Sequence, residues 1–244
     1  MDASKKDRYF AQPFERVTPF SFNAEVAEVF DDMVTRSVPL YRENQQLTVD
    51  LLSRLLKKND VVYDLGCSTG TVLYLLGQAL KPLDLQLIGL DASAPMVEKA
   101  RLKLKAFGLK NAEIEKADIT QVPFIPCGAV VMNYTLQFLP VEARLPLLKK
   151  IYASLRPGGV LLLVEKIQTD APGLQELVTD TYYDFKGHNG YSELEISQKR
   201  EALENVLIPL TPTQQTELLR EVGFGPVEML LRWGPFATFL AVKS

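Results

Sequence analysis

At 244 residues, with 47% hydrophobic and 23% charged side chains, the chain can bury one sizeable α/β core without disulfides or metal. Two cysteines, Cys67 and Cys127, are too few for a disulfide framework and lack ligand-like spacing. A net charge of −3 with only scattered basic pairs, such as Lys57-Lys58 and Lys149-Lys150, offers no stripe for nucleic-acid phosphates. The start, Met1-Asp-Ala-Ser-Lys-Lys-Asp-Arg8, is polar and no window reaches membrane-span length. A reduced cytoplasmic setting is expected, with no direct nucleic-acid or membrane partner.

No repeat or low-complexity tract interrupts the chain, which reads as a single α/β unit over 1–244. Residues 24–56 give helical stretches, including Asn44 to Leu56, within an N-terminal helical segment spanning 1–56. Short apolar runs then alternate with longer amphipathic ones, as in a parallel sheet. Val61 to Leu65 reads as a strand and Thr71 to Leu80 as a helix. Leu85 to Leu90 is the second strand, and Ser93 caps a helix ending near Gly108. Ala112 to Lys116 and Ala129 to Asn133 are the third and fourth strands. A helix from Val141 to Leu155 is stopped by Arg156-Pro-Gly-Gly159, and Val160 to Glu165 is the fifth strand. Residues 168–208 are helical, charge-rich and too long for an ordinary connection, so they read as an inserted cover. A helix from Thr211 to Val222 and strands Val227 to Leu231 and Phe236 to Val242 close the chain.

Open α/β sheets bind ligands at the C-terminal ends of their strands. The first strand runs into Gly66-Cys-Ser-Thr-Gly70, where the two glycines permit a sharp turn and close ligand approach before a helix N-terminus. The third glycine of the dinucleotide fingerprint is missing, so a smaller ligand without a pyrophosphate fits better. Asp91, ending the second strand, is placed to accept from ribose hydroxyls. Asp118-Ile119 follows the third strand, where an acid and an apolar side chain can hold an adenine. Asn133 follows the fourth and suits a polar tail. Asp64 either holds the loop or meets a ligand amino group. Asp91 and Asp118 fit plain turn or cap roles as well.

The same loop matches the G-x-S-x-G pattern of a hydrolase nucleophile elbow through Ser68, with Asp91 or Asp118 as candidate acids. The chain's one histidine, His188, falls in the helical insertion, and the elbow would stand unusually early in the sheet. A hydrolase is therefore the weaker reading, and Cys67 as nucleophile weaker still.

The four strand ends together resemble the class I S-adenosylmethionine-dependent methyltransferases, over roughly residues 45–244. That implies a Rossmann-like, mostly parallel seven-stranded sheet with helices on both faces and a helical cover. A closer resemblance lies in Glu25-Val-Ala-Glu-Val-Phe30, Arg36-Ser-Val-Pro39, Tyr63-Asp-Leu-Gly-Cys-Ser68, Asn133-Tyr-Thr-Leu-Gln-Phe-Leu139, Asp184-Phe-Lys186 and Asn189-Gly-Tyr-Ser-Glu-Leu-Glu-Ile-Ser-Gln-Lys-Arg200. These are similar to the carboxy-S-adenosylmethionine synthase family. The resemblance implies that S-adenosylmethionine and prephenate become carboxy-S-adenosylmethionine and phenylpyruvate. A separate transferase then uses the product to modify the wobble uridine of tRNA. It implies a homodimer too. An ordinary small-molecule methyltransferase and a non-catalytic cofactor-binding protein are the competing readings.

Carried over by position, Tyr41, Gly66, Cys67, Ser68, Asp91, Ala92, Asp118, Ile119, Asn133 and Arg200 are implied to line the cofactor pocket. Ala92 departs from the family, where an asparagine is expected. The guanidinium of Arg200 suits bidentate capture of the new carboxylate, within its own subunit or across an interface; the plain alternative is a surface pair with Glu204. No catalytic side chain is assigned. The reaction implied needs none as base: prephenate releases carbon dioxide and hydroxide on aromatising, hydroxide takes a sulfonium methyl proton, and the resulting carbanion attacks carbon dioxide. That demands a closed, dry site.

Overall fold

A computed structural model describes residues 5–244. Two helices come first, α1 (Ala24–Ser37) and α2 (Tyr41–Leu55). Next follow β1 (Val61–Leu65), α3 (Thr71–Ala79), β2 (Gln86–Asp91), α4 (Ala94–Ala106) and β3 (Ala112–Lys116). β4 (Cys127–Asn133), α5 (Val141–Ser154) and β5 (Leu155–Lys166) complete the parallel part. The cover is α6 (Gln175–His188) and α7 (Glu193–Leu203), before α8 (Pro212–Val222), β6 (Val227–Trp233) and β7 (Phe236–Val242). Among the described residues no helix is long and apolar enough to cross a membrane.

The seven strands lie in the order β3-β2-β1-β4-β5-β7-β6, with β7 antiparallel to both its neighbours. The central strands are buried on both faces, which is why they read as continuous apolar runs. Alternation of period two splits them between two cores. Tyr63, Leu65, Val130, Met132, Leu161 and Leu163 pack with Leu147, Ile151 and Leu219 of α5 and α8. Val62, Leu87, Val131 and Leu162 face Leu52, Leu76, Val97 and Leu104 of α2, α3 and α4.

The expected elements recur with small shifts, and one difference is instructive. The Arg156-Pro-Gly-Gly159 turn is a bulge inside β5, because Cys127 pairs with Leu155 and Ala129 with Val160. The guanidinium of Arg156 leaves the strand to bind Asp60 at 2.7 Å and donates to the Leu55 carbonyl at 3.0 Å. The turn thereby fastens β5 to the start of β1.

The cover is tied down by buried polar contacts. Ser192 caps α7 in a reciprocal box with Glu195. Buried Gln198 donates to the Phe10 carbonyl at 2.8 Å and accepts from the Phe14 N–H at 2.8 Å, lacing the N-terminal segment to α7. Tyr182 of α6 donates to the Ser37 carbonyl at 3.0 Å, and Tyr191 donates to Asp7 at 2.6 Å. Residues scattered between positions 7 and 198 therefore close over one end of the sheet.

Candidate functional site

The parallel strands deliver their C-terminal ends to a cavity of about 670 Å³, a volume typical of a small-molecule site. At its centre β1 turns through Gly66, with φ of +76°, into Cys67 and Ser68. A Cβ on Gly66 would run into the Thr135 side chain. The loop after β4 therefore presses against the turn, and only glycine satisfies both the backbone angle and the space. The Thr135 loop is held in turn by Glu165, whose buried carboxylate accepts the N–H groups of Thr135, Leu136 and Gln137 at 3.1, 3.0 and 2.8 Å.

Asp91 performs the turn role left open above, and it does so from inside the cavity. Its two oxygens accept the N–H of Ser68 at 2.9 Å and of Ser93 at 2.8 Å, joining the β1 and β2 loops. Burial nevertheless raises its carboxyl, with the two N–H groups opposing. A carboxylate offers about four acceptor positions, so capacity remains for ligand hydroxyls. Asp118 likewise binds locally, through one oxygen, to the Thr120 N–H at 2.9 Å and hydroxyl at 2.7 Å. Lys150 secures this loop by donating to the carbonyls of Ile119, Thr120 and Val122.

Tyr41, Gly66, Cys67, Ser68, Asp91, Ala92, Asp118, Ile119 and Asn133 all line this one cavity. The Ala92 methyl brings no polar group to it. The structure does not bring Arg200 into the cavity of its own chain. Successive helix residues point about 100° apart, so with Lys199 turned inward Arg200 faces solvent. The four ion pairs of the described residues do not include Arg200, so it is not paired with Glu204 either.

Two polar groups point to the ligand's chemistry. The Asn133 side-chain oxygen is buried with no hydrogen-bond partner among the described residues. Asp64 is 2% exposed and lines the cavity, and burial followed by the nearby Asp91 charge lifts its carboxyl to about 7. A cationic, hydrogen-bond-donating group between them would satisfy both. Phe22, edge-on to Phe138 with centroids 5.3 Å apart, gives the cavity an apolar wall.

The hydrolase reading fails on geometry. His188 is exposed at the end of α6 and absent from the cavity lining, so Ser68 has no imidazole base. Burial pushes the Cys67 thiol well up, which makes it inert.

The sequence of a carboxy-S-adenosyl-L-methionine synthase from Desulfotalea psychrophila is 50% identical to this chain over 241 residues, covering 98% of each. The chain belongs to the carboxy-S-adenosyl-L-methionine synthase family. A second member, from Nitratiruptor, is 45% identical and again covers 98% of both chains. A methyltransferase-domain family model matches residues 62–159, the stretch from β1 into β5. A methyltransferase structure from Aquifex aeolicus superposes with a TM-score of 0.61 at 16% identity, covering 92% of this chain and all of that one. It shares the class I fold.

Some lining residues were not anticipated from the sequence of this synthase family member. Lys166 closes β5, and Tyr182, Lys199 and Phe236 come from the cover and β7. The Lys166 position carried a usable signal, since it ends the fifth parallel strand. Lys199 lies within the Asn189–Arg200 motif, but its inward direction, like the positions of Tyr182 and Phe236, is set only by tertiary packing.

Gly66→Ala should retain the fold yet weaken S-adenosylhomocysteine binding by about tenfold or more, from ~1–3 kcal/mol of strain in the loop. Gly173→Ala, where an added Cβ meets nothing within 4 Å, serves as the control in the same titration. Equal affinities for both variants would remove the close-packing argument.

Proposed function

We propose that this chain carries out its family's reaction, converting S-adenosyl-L-methionine and prephenate to carboxy-S-adenosyl-L-methionine and phenylpyruvate. The observation that carries this is one cavity crossing four strand ends, in which the Asp64 carboxyl is buried and the Asn133 side-chain oxygen has no hydrogen-bond partner among the described residues. Asp91 takes the ribose hydroxyls, Asp118 and Ile119 hold the adenine, and Asp64 with Asn133 hold the ammonium tail. Gly66 to Ser68 let the backbone approach the ligand closely.

Prephenate aromatises by losing carbon dioxide and hydroxide. Hydroxide removes one methyl proton as water, and the freed electron pair forms the new bond to carbon dioxide. Charge balances: a dianion and a monocation give the phenylpyruvate anion and a neutral carboxylated sulfonium. The protein's part is to position the reactants and to exclude water beneath the α6–α7 cover. We assign the product the role of carboxymethyl donor to a separate tRNA-modifying transferase, and the enzyme a cytoplasmic, homodimeric state acting as one cofactor-binding unit.

Incubation with both substrates should yield a sulfonium heavier by one carbon dioxide, dependent on prephenate and read by mass spectrometry. Demethylated cofactor with a methylated acceptor would instead favour an ordinary small-molecule methyltransferase, and unchanged cofactor a binding protein.

Asp64 generates a pH dependence with a definite sign. Its carboxyl is pushed up to about 7 in the folded chain from its ordinary 3.8 by burial and the nearby Asp91 charge. Stability therefore falls as pH rises between those values, because the folded state holds the proton longer. A ligand ammonium favours the ionised carboxylate, so binding releases a proton below 7. S-adenosylhomocysteine affinity should rise from about pH 5.5 to 7.5 and then level off, and Asp64→Asn should flatten the profile. A wild-type profile already flat would remove this role.

Arg200 can capture the new carboxylate only from a second subunit, which matches the homodimer expected of the family. Arg200→Ala should weaken the carboxylated cofactor by roughly tenfold to a hundredfold and leave S-adenosyl-L-methionine affinity unchanged. A monomer by sedimentation, or equal loss for both ligands, would remove the assignment.

A further inference from the structure

The cofactor accounts for the strand ends of β3, β2, β1 and β4, and β5 lies one strand beyond them. There Lys166 turns into the cavity from the end of β5, and Lys199 turns in from α7. Among the described residues the Lys199 ammonium has one hydrogen-bond partner, the Ser37 hydroxyl at 3.5 Å. The Lys166 ammonium lies over the Tyr182 ring, 5.2 Å from its centroid. A third lysine, Lys186, is buried beside the same ring at 5.6 Å. The four ion pairs of the described residues include none of these lysines.

Clustered ammonium groups without carboxylate partners are costly in a protein interior. Burial lowers Lys166, and it presses Lys199 to about 8 and Lys186 to about 7, where repulsion by Lys199 and Lys166 adds to the effect. Asp7 contributes attraction at Lys186 and Lys199 and Glu195 at Lys186, but the Asp7 oxygens already accept the Tyr191 hydroxyl at 2.6 Å and the Tyr9 N–H at 3.0 Å, and Glu195 accepts the Ser192 N–H and hydroxyl at 2.8 and 2.9 Å. Lys166 and Lys199 both line the cavity, where an anionic ligand would supply counter-charge to each.

The walls at this end are aromatic. Tyr182 packs on Phe236 with centroids 5.1 Å apart, and Tyr134 meets Phe236 at 6.1 Å. Two cations set among rings match a small dicarboxylate with a cyclic, largely apolar body. We propose that the β5 end of the cavity is the carboxyl-donor subsite, in which Lys166 and Lys199 each hold one carboxylate of a cyclic dicarboxylate. This rests on the prephenate reading, since prephenate carries one carboxylate on its six-membered ring and a second on its pyruvyl side chain. Strand adjacency then sets the donor beside Asn133 and Tyr134, next to the sulfonium end of the cofactor. Carbon dioxide is released where it is consumed.

The test titrates S-adenosylhomocysteine-loaded protein with prephenate and with phenylpyruvate, which retains one carboxylate. Wild type should bind the dicarboxylate more tightly. Lys166→Met and Lys199→Met should each raise the prephenate Kd by roughly 10- to 100-fold, the scale of a lost charge-assisted hydrogen bond. The preference over phenylpyruvate should nearly vanish, while S-adenosylhomocysteine affinity stays within about twofold of wild type. Lys166→Arg and Lys199→Arg should keep much of the preference. Thermal midpoints of the Met variants should not drop, because each removes a buried charge.

Unchanged prephenate affinity, or parallel losses for prephenate and cofactor, would overturn the subsite. Equal wild-type binding of the two acids overturns it without any variant. Lysine-dependent prephenate binding with no carboxylated product would keep the subsite and defeat the proposed reaction instead.

Discussion

The contact between Gly66 and Thr135 is the constraint on which the site depends. It requires a left-handed turn at the end of β1 and a neighbouring loop close enough to forbid a Cβ. That loop has no regular ladder of its own, so three backbone N–H groups would be orphaned if Glu165 did not collect them. Gln137 extends the arrangement by accepting the Lys166 N–H at 2.7 Å, and buried Arg144 donates to the Gln137 and Ile208 carbonyls. One carboxylate on β5 thus fixes the ends of β1, β4 and β5 relative to each other, and the polar groups that face the cavity inherit that precision.

A second network seats the N-terminal helices over the glycine turn. Lys103 of α4 donates to Asp31 of α1 at 2.9 Å and to the Thr69 and Thr71 hydroxyls at 3.0 and 2.9 Å. Thr69 in turn donates to Asp31 at 2.5 Å. The Ser93 hydroxyl donates to the Phe22 carbonyl at 2.6 Å, which brings the aromatic wall against the β2 end. These bonds tie α1 and its leading segment to the cofactor loop. The same helix that lines the cavity also bears on the glycine turn, so cover and loop are positioned together. The reaction proposed for this chain, which generates carbon dioxide and hydroxide, would need that coupling, since an open site would lose both to water.

Charge is distributed along the rim with a direction. Acids stand at the β3, β2 and β1 ends, a neutral amide at β4, and lysines at β5 and on the cover. In the proposed reaction this arrangement would sort a cationic cofactor and an anionic donor to opposite ends of one cavity. The order follows from the topology: parallel strands deposit all their C-termini on one rim, and each strand contributes its own terminal residue.

Sequence pattern by itself determined the strand and helix order, the glycine turn, and the acids that follow β2 and β3. Those are local facts, set by residue periodicity and by the short distance between a strand and its own loop. It also pointed to the family, through Asn189 to Arg200. Tertiary structure decided what local pattern could not. It turned the Asp91 carboxylate toward two backbone loops, buried Glu165 as an anchor, and sent Lys199 inward and Arg200 outward on the same helix. Helix α7 has charged and polar residues on nearly every side, so no periodicity in it marks the inward face. That face is chosen by Gln198 gripping the N-terminal segment, a contact spanning more than 180 residues of chain.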